Sequence, residues 1–386
     1  MFSLLVVLLA ICHSITGQCT ITIKTDLSYP EPIFIRNNNL WEPQQGQLKW
    51  VATESNVIAC PRASIANTLT DTALLTCVSD STYLLNGIPV NISSVKCSKV
   101  VTGDHQFTNQ ECGDLATERQ IGFEVSGIGF TKLFTICYKT ETASVLYTRH
   151  TIVGDSIFGS IVESYRPSFK VAGVPSNVPV DSAYTIKSQQ ARLTELLGSS
   201  AQAAKYVNSL SYLARGHMTP DADGIFRTWQ WATYFYVNVV PQWQKVNSGN
   251  WLIVEKYART IADRLQEDIT IYTGTYGILT LPHTNGTLVP ITLIASGIIV
   301  PKWTWKIIKS PRTNSAIVFI SSNDPYRTSM QSEEFLCPDV CRQSGWYVAS
   351  FDTYAKGFTY CCSVVSFKAV VNNIPDDVNA ATILAF

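Results

Sequence analysis

The placement of cysteine limits what this chain can fold into more than any other feature. There are eleven cysteines in 386 residues. Cys12 lies in an apolar leader, and the other ten form two groups. Cys19, Cys60, Cys77, Cys97, Cys112 and Cys137 occupy the N-terminal third, and Cys337, Cys341, Cys361 and Cys362 lie near the end. Neither group shows the paired C-x-x-C knuckles of a structural zinc site, so the reading is five disulfides formed in an oxidising compartment. The long stretch from Cys137 to Cys337 is left to packing alone.

The leader, Met1 to Gly17 (MFSLLVVLLAICHSITG), is an apolar run with a small, polar exit. It is short for a membrane span and reads as a secretory signal cleaved near Gly17, with no membrane anchor expected. Its first residues lack Lys and Arg, so a buried N-terminal segment is the competing reading. Asn91 in NIS and Asn285 in NGT match the glycosylation acceptor pattern, in keeping with export. A hydrophobic content of 46% against 15% charged residues supplies a substantial core and excludes disorder as the default. With 29 basic and 29 acidic residues, the chain exerts no long-range pull on a polyanion. A nucleic-acid ligand would need a local basic patch or a divalent metal to hold it.

From Gln18 to Tyr138, short apolar segments alternate with Asn, Gly, Pro and Ser, and strands are expected near 47–53, 72–77 and 130–138. This predicts a small β-rich module over 18–138, with six cysteines able to pair within it, ahead of a second domain over 139–386. His105 reads as a surface histidine. His150 sits on a strand beside Arg149, so only one of the two can face a given cleft. Residues 186–210 carry helical spacing broken at Gly198 to Ser200. Residues 268–275 and 288–299 alternate as strands that would back a site, and the last four cysteines would staple a loop-rich segment to the core.

The chemistry concentrates between Ser211 and Arg259, where a few charges lie among Trp, Tyr and Val. Burying charge in such company is costly unless it is paired or binds something charged. His217 ends the run Ala214, Arg215, Gly216, His217. A neutral imidazole can take a proton from water, and Arg215, two positions earlier on the same strand face, can hold a phosphate oxygen. Gly216 lets backbone or phosphate approach closely. Asn238 and Gln242 flank a VVP run that reads as a turn. Asn247, Ser248 and Gly249 then introduce WLIVEKYARTIADRL in helical rhythm, with Asn247 as the cap. Steps of four from Asn247 reach Trp251, Glu255 and Arg259, so one side of a helix can offer amide oxygen, carboxylate and guanidinium. A hard cation such as Mg²⁺ keeps several waters, and one direct amide ligand plus a carboxylate acting through water would hold it. Each residue also has a bland reading: Asn247 as a cap only, Glu255 with Arg259 as a helix salt bridge, His217 as a satisfied histidine. Trp229, Trp231, Tyr234, Tyr236 and Trp243 read as core and cleft wall, and Asp221 and Asp223 as an exposed acidic turn.

The ARGHM segment followed by YFYVNVVPQW, VNSGNW and VEKYAR resembles the DNA/RNA non-specific endonuclease family. That family's pattern is DRGH, then S-N-x-x-P-Q, L-N, W and L-E-x-x-x-R. The resemblance covers about residues 140 to 310 and looks closest to a secreted arthropod branch of crustacean duplex-preferring nucleases and insect gut double-stranded RNA nucleases. It implies an α+β fold with a ββα-metal (His-Me finger) core, a central antiparallel sheet flanked by helices, and the β-rich disulfide module ahead of it. It also implies His217 as general base, Asn247 as direct Mg²⁺ ligand (Mn²⁺ or another divalent cation being alternatives), and Glu255 as a ligand through water. Arg259 or Arg215 would stabilise the crowded phosphate, with Asn238 and Gln242 as polar supports. The implied substrate is DNA or RNA, duplexes included, cut to leave 5′-phosphate ends outside the cell, as in a digestive lumen. No protein partner is implied. The family's leading Asp is Ala214 here, which removes one orienting carboxylate. Two alternatives stay open: a secreted phosphodiesterase of small nucleotides, and a catalytically silent nucleic-acid-binding or uptake protein.

Overall fold

The computed structural model describes residues 17–375 and 377–386, so the expected leader lies outside the described residues except for Gly17. Among the described residues, no helix is long and apolar enough to cross a membrane.

The fold is built on one antiparallel sheet. Its main path runs, in chain order, through Asp104–Gly113, Ala116–Val125, Gly129–Lys139, Ser144–Ile152, Ile269–Ile278, Pro301–Ser310, Ser315–Ser322 and Thr359–Cys362, each strand beside the next. Thr382–Ile383 adds a short parallel partner to Ser315–Ser322. The apolar runs at 301–310 and 315–322 are buried on both faces, which explains their near-continuous hydrophobicity. Between Ile152 and Ile269, neighbours in the sheet, the chain leaves to build the region that carries His217 and returns. The helix Asn250–Leu265 closes this excursion by packing on the sheet. Its buried residues Trp251, Val254, Ala258, Ile261 and Ala262 recur at steps of three and four, and all but Trp251 share one core with Ile152, Ile271 and Ile317.

The helical run at 186–210 breaks where expected. Ile186–Leu197 stops at Gly198, whose left-handed φ of 85° suits a glycine C-cap, and Ser200–Ala204 restarts under a Ser199 cap.

At the N-terminus, a second sheet of six short strands and a two-stranded ribbon form the β-rich module. Its disulfides are Cys19–Cys77 and Cys60–Cys97. Cys112–Cys137 closes two strands of the main sheet, while Cys337–Cys362 and Cys341–Cys361 pin the C-terminal loops to the strand at 359–362. The division drawn after Tyr138 falls inside the strand Gly129–Lys139, which is hydrogen-bonded on both sides. A continuous sheet, not a linker, crosses that point. The module, whose last strand ends at Val90, lies against the rest by buried contacts such as Ser156 Oγ to the Pro43 carbonyl at 3.0 Å.

Candidate active site

Leu213–His217 pairs antiparallel with Val239–Trp243, placing His217 opposite Val239 and Ala214 opposite Gln242. The VVP run is therefore not a turn. It is a fully buried strand, as its β-branched residues favour. An added Cβ on Gly216 would lie 2.7 Å from Gln242 Oε1, so this glycine makes room for the Gln242 side chain across the ribbon.

The helix follows as ββα order requires, but its start differs from the expectation. A single turn, Gln244–Asn247, precedes the break at Ser248, and Gly249 is the N-cap of Asn250–Leu265. Asn247 ends the short turn instead of capping the helix, so only Trp251, Glu255 and Arg259 follow one another along it. The helix start is instead held by Asn250, which is buried and donates to the carbonyls of Ser350 and Gly357, both at 2.7 Å. Nothing local in the sequence marks that role.

An open cleft of about 750 Å³ lies over the ribbon, and His217, Arg215, Ala214 and Asn247 border it with Phe169 and Arg166. Arg215 and His217 share it, as strand alternation predicts. Ala214 borders it too, although strand alternation puts its side chain opposite that of Arg215. The His217 ring packs on Phe169, with centroids 5.1 Å apart, and meets Tyr234 edge-on at 4.9 Å. Its Nε2 is buried and has no hydrogen-bond partner. Burial holds its pKa down to about 4, against the pull of Asp221 and with the help of Arg166, so the ring is neutral at ordinary pH. Arg215 donates from Nε to the Tyr236 hydroxyl at 2.9 Å and lies 3.5 Å from Asp181. Its guanidinium is stacked over the rings of Phe169, Tyr184 and Tyr236.

Asn238 supports the turn after His217. Its Oδ1 accepts from the Thr219 backbone at 3.0 Å, and its Nδ2 donates to the carbonyls of Thr219 and Thr233, both at 2.9 Å. Gln242 reaches Thr304 at 3.5 Å.

Glu255 and Arg259 do not line the cleft. Arg259 donates from Nη1 to Asp223 at 2.7 Å, and the other Asp223 oxygen meets His150 Nε2 at 2.8 Å. His150 Nδ1 is 3.3 Å from the Thr219 hydroxyl. Asp223 is thus no exposed turn residue. Burial disfavours its charge, but His150 and Arg259 together hold its pKa below the ordinary carboxylate value. His150 is likewise buried, and desolvation holds its pKa below the ordinary histidine value. His105 also differs from the surface reading, since its Nε2 is buried and its pKa is held down to about 4, mainly by desolvation. Beside the Asp223 network lies Lys306, fully buried, with Nζ 2.5 Å from Thr273 Oγ1 and over the Trp251 ring. Burial pushes the Glu255 carboxyl up to about 7, with Lys306 opposing.

Asn247, which borders the cleft, and Glu255, which lies outside its lining, carry an amide oxygen and a carboxylate, the oxygen donors that a hard divalent cation takes. The one tight grouping of His, Cys, Asp or Glu among the described residues is Asp339, Cys341 and Cys361. Those two cysteines are disulfide-bonded to each other and offer no thiolate.

Comparison with known proteins agrees with this ββα arrangement. Residues 116–367 match the DNA/RNA non-specific endonuclease family. A salivary endonuclease of Lutzomyia longipalpis is 30% identical, over 98% of this chain and 91% of its own length. A salivary endonuclease of Culex quinquefasciatus is 27% identical, over 92% of this chain and 90% of its own. The mitochondrial nuclease EXOG of Homo sapiens is 35% identical over a shorter stretch, 26% of this chain and 28% of its own. With its strand–strand–helix core and a family match across most of its length, the chain belongs to the DNA/RNA non-specific endonuclease family and is an enzyme, a nuclease.

Proposed function

We propose that this chain is a secreted, magnesium-dependent endonuclease that hydrolyses phosphodiester bonds of DNA and RNA, duplexes included, with His217 as general base. The observation that carries this reading is the shared cleft: the neutral imidazole of His217, the guanidinium of Arg215 and the amide of Asn247 border one open space. An open groove suits a polymer better than a small nucleotide.

In this mechanism His217 removes a proton from a water, whose oxygen attacks the phosphorus in line with the leaving 3′ oxygen. The new P–O bond forms as the P–O3′ bond breaks, leaving a 5′-phosphate. Asn247 would hold the cation directly and Glu255 through water. When bound, a divalent cation offsets charge on the phosphate and acidifies a water able to protonate the leaving oxygen. Arg215, which borders the cleft, takes the phosphate oxygen and offsets the added charge. Arg259 is committed to Asp223, so we assign it to positioning, tying the helix to the loop that follows His217. Asn238 holds that same loop, and Gln242 fills the space across from Gly216.

The five disulfides support an extracellular setting, and the relatives named salivary agree with it. A kinship with duplex-preferring arthropod nucleases belongs to the same proposal. Asn91 and Asn285 are both exposed, as glycan acceptors must be.

The test is incubation of purified protein with plasmid, duplex RNA and a dinucleotide, in magnesium or in EDTA. Magnesium-dependent cutting of the polymers is expected, and polymer that is bound but uncut in magnesium refutes the reading. His217→Ala should lower turnover by about 10²- to 10⁴-fold while binding is retained. A fully active variant removes His217 from the base role.

A further inference from the structure

Two acids that this chemistry does not use end on the same arginine. Glu31, in the N-terminal module, is buried, and its carboxylate accepts from Arg227 Nη1 at 2.8 Å and from the Thr228 backbone at 3.3 Å. Arg227 Nε reaches Glu163 at 3.2 Å. Arg227 therefore ties the module to the irregular segment that runs on to Arg166 and Phe169 at the cleft.

Each of these acids lies two residues from an exposed tyrosine. Tyr29 is 52% exposed and Tyr165 is 60% exposed. The Tyr165 backbone is fixed as well, donating to Glu163 at 2.7 Å. Both rings stand edge-on to the buried Trp231, with centroids 5.8 and 6.1 Å away. The Trp231 indole N–H points to the Tyr165 carbonyl at 3.4 Å. Two large aromatic rings thus rest on one buried indole and keep more than half of their surface in water. The next residue, Arg166, has a side chain 72% exposed and borders the cleft, 3.9 Å from Asp221. Glu31 and Glu163 are turned inward and paired, so Arg166 is the exposed charge next to Tyr165.

We propose that Tyr29 and Tyr165 form a stacking platform for the strand of polynucleotide leaving the cleft, so that the N-terminal module is part of the substrate track. This rests on the nuclease reading above and adds where the flanking strand runs. A base offers a π-face whatever its identity, and an aromatic ring that is already fixed loses little freedom on stacking. Arg166 would take a phosphate between platform and cleft, giving a continuous path from the cut to the module.

The experiment uses the full chain with its disulfides intact, as wild type, Tyr29→Ala, Tyr165→Ala and the double variant. Because both rings are more than half exposed, only small shifts in unfolding midpoint are expected, and these are checked first. Binding of a labelled single-stranded oligonucleotide in EDTA is read by fluorescence anisotropy, and turnover of a dinucleotide is read in magnesium. The double variant should bind the oligonucleotide about 10- to 100-fold more weakly, with dinucleotide turnover within about twofold of wild type. Glu31→Gln, which loosens the clamp and keeps both rings, should weaken binding in the same direction. Unchanged oligonucleotide affinity overturns the proposal and leaves the patch to another occupant, such as a protein. An equal loss on the dinucleotide also overturns it, because the tyrosines would then shape the cleft itself. A wild type that cuts polymer beside variants that bind normally defeats the platform alone. A wild type that neither binds nor cuts defeats the nuclease reading, and the platform with it.

Discussion

Asp223→Asn is the perturbation that most directly tests how the site is held. The carboxylate it removes is shared by Arg259 at 2.7 Å and His150 at 2.8 Å, and the Arg259 side chain is only 13% exposed. Taking one partner from a buried ion pair strands the other charge, at a cost of about 3–5 kcal/mol. An amide oxygen can still accept one bond from Arg259, so the lower end of that range applies. If the cost comes from the stranded guanidinium, removing it should recover stability. Asp223→Asn, Arg259→Met and the double variant form a cycle whose coupling should reach about 2 kcal/mol, with the double variant losing less than the sum. Urea midpoints followed by tryptophan fluorescence measure each term. Effects that add to within about 0.5 kcal/mol would show that the pair does not tie helix to loop.

Other expectations follow from the same geometry. Asn247→Ala should raise the magnesium needed for half-maximal rate by about tenfold or more, or abolish activity; an unchanged requirement rejects it as the direct ligand. The folded pKa of His217, about 4, lies below the ordinary histidine value of 6.5, so the unfolded chain takes up the proton first as pH falls. Its contribution is therefore fully present above the unfolded value and is lost as pH falls toward 4, amounting to about 3 kcal/mol at most. His217→Phe should flatten that acid sensitivity, and equal losses for both proteins between neutral and mildly acidic pH would contradict it. Removing the Cys341–Cys361 bond by a double serine substitution should lower stability by about 3 kcal/mol, given its separation of 20 residues. An unshifted urea midpoint in that variant would mean the C-terminal loops are held by packing alone.

The order of the chemistry was legible in the chain itself. Arg215 and His217 share a side because strand side chains alternate, and Glu255 and Arg259 share one because a helix turns every 3.6 residues. These periods are local, and they survive whatever the rest of the chain does. The two groups of cysteines likewise pair within themselves, since each group folds as a neighbourhood. The VVP run reads as a turn because an apolar run with a proline has the same local pattern as a turn until a partner strand is known. Asn247 reads as a cap because a two-residue shift in the helix start, to the Gly249 cap, leaves the amphipathic pattern intact.

What only the tertiary structure decided is which charges are buried and with whom. Asp223 meets His150 across 73 positions of sequence and Arg259 across 36, and Lys306 enters from a later strand to sit near Glu255. Periodicity reports which face of an element is apolar, and it carries no information on what another element brings to that face. The partner of a buried charge is set by chain crossings in the sheet. That is why the first strand and the helix of this site are visible in the sequence, while the ion pair that joins the helix to the loop after His217 is not.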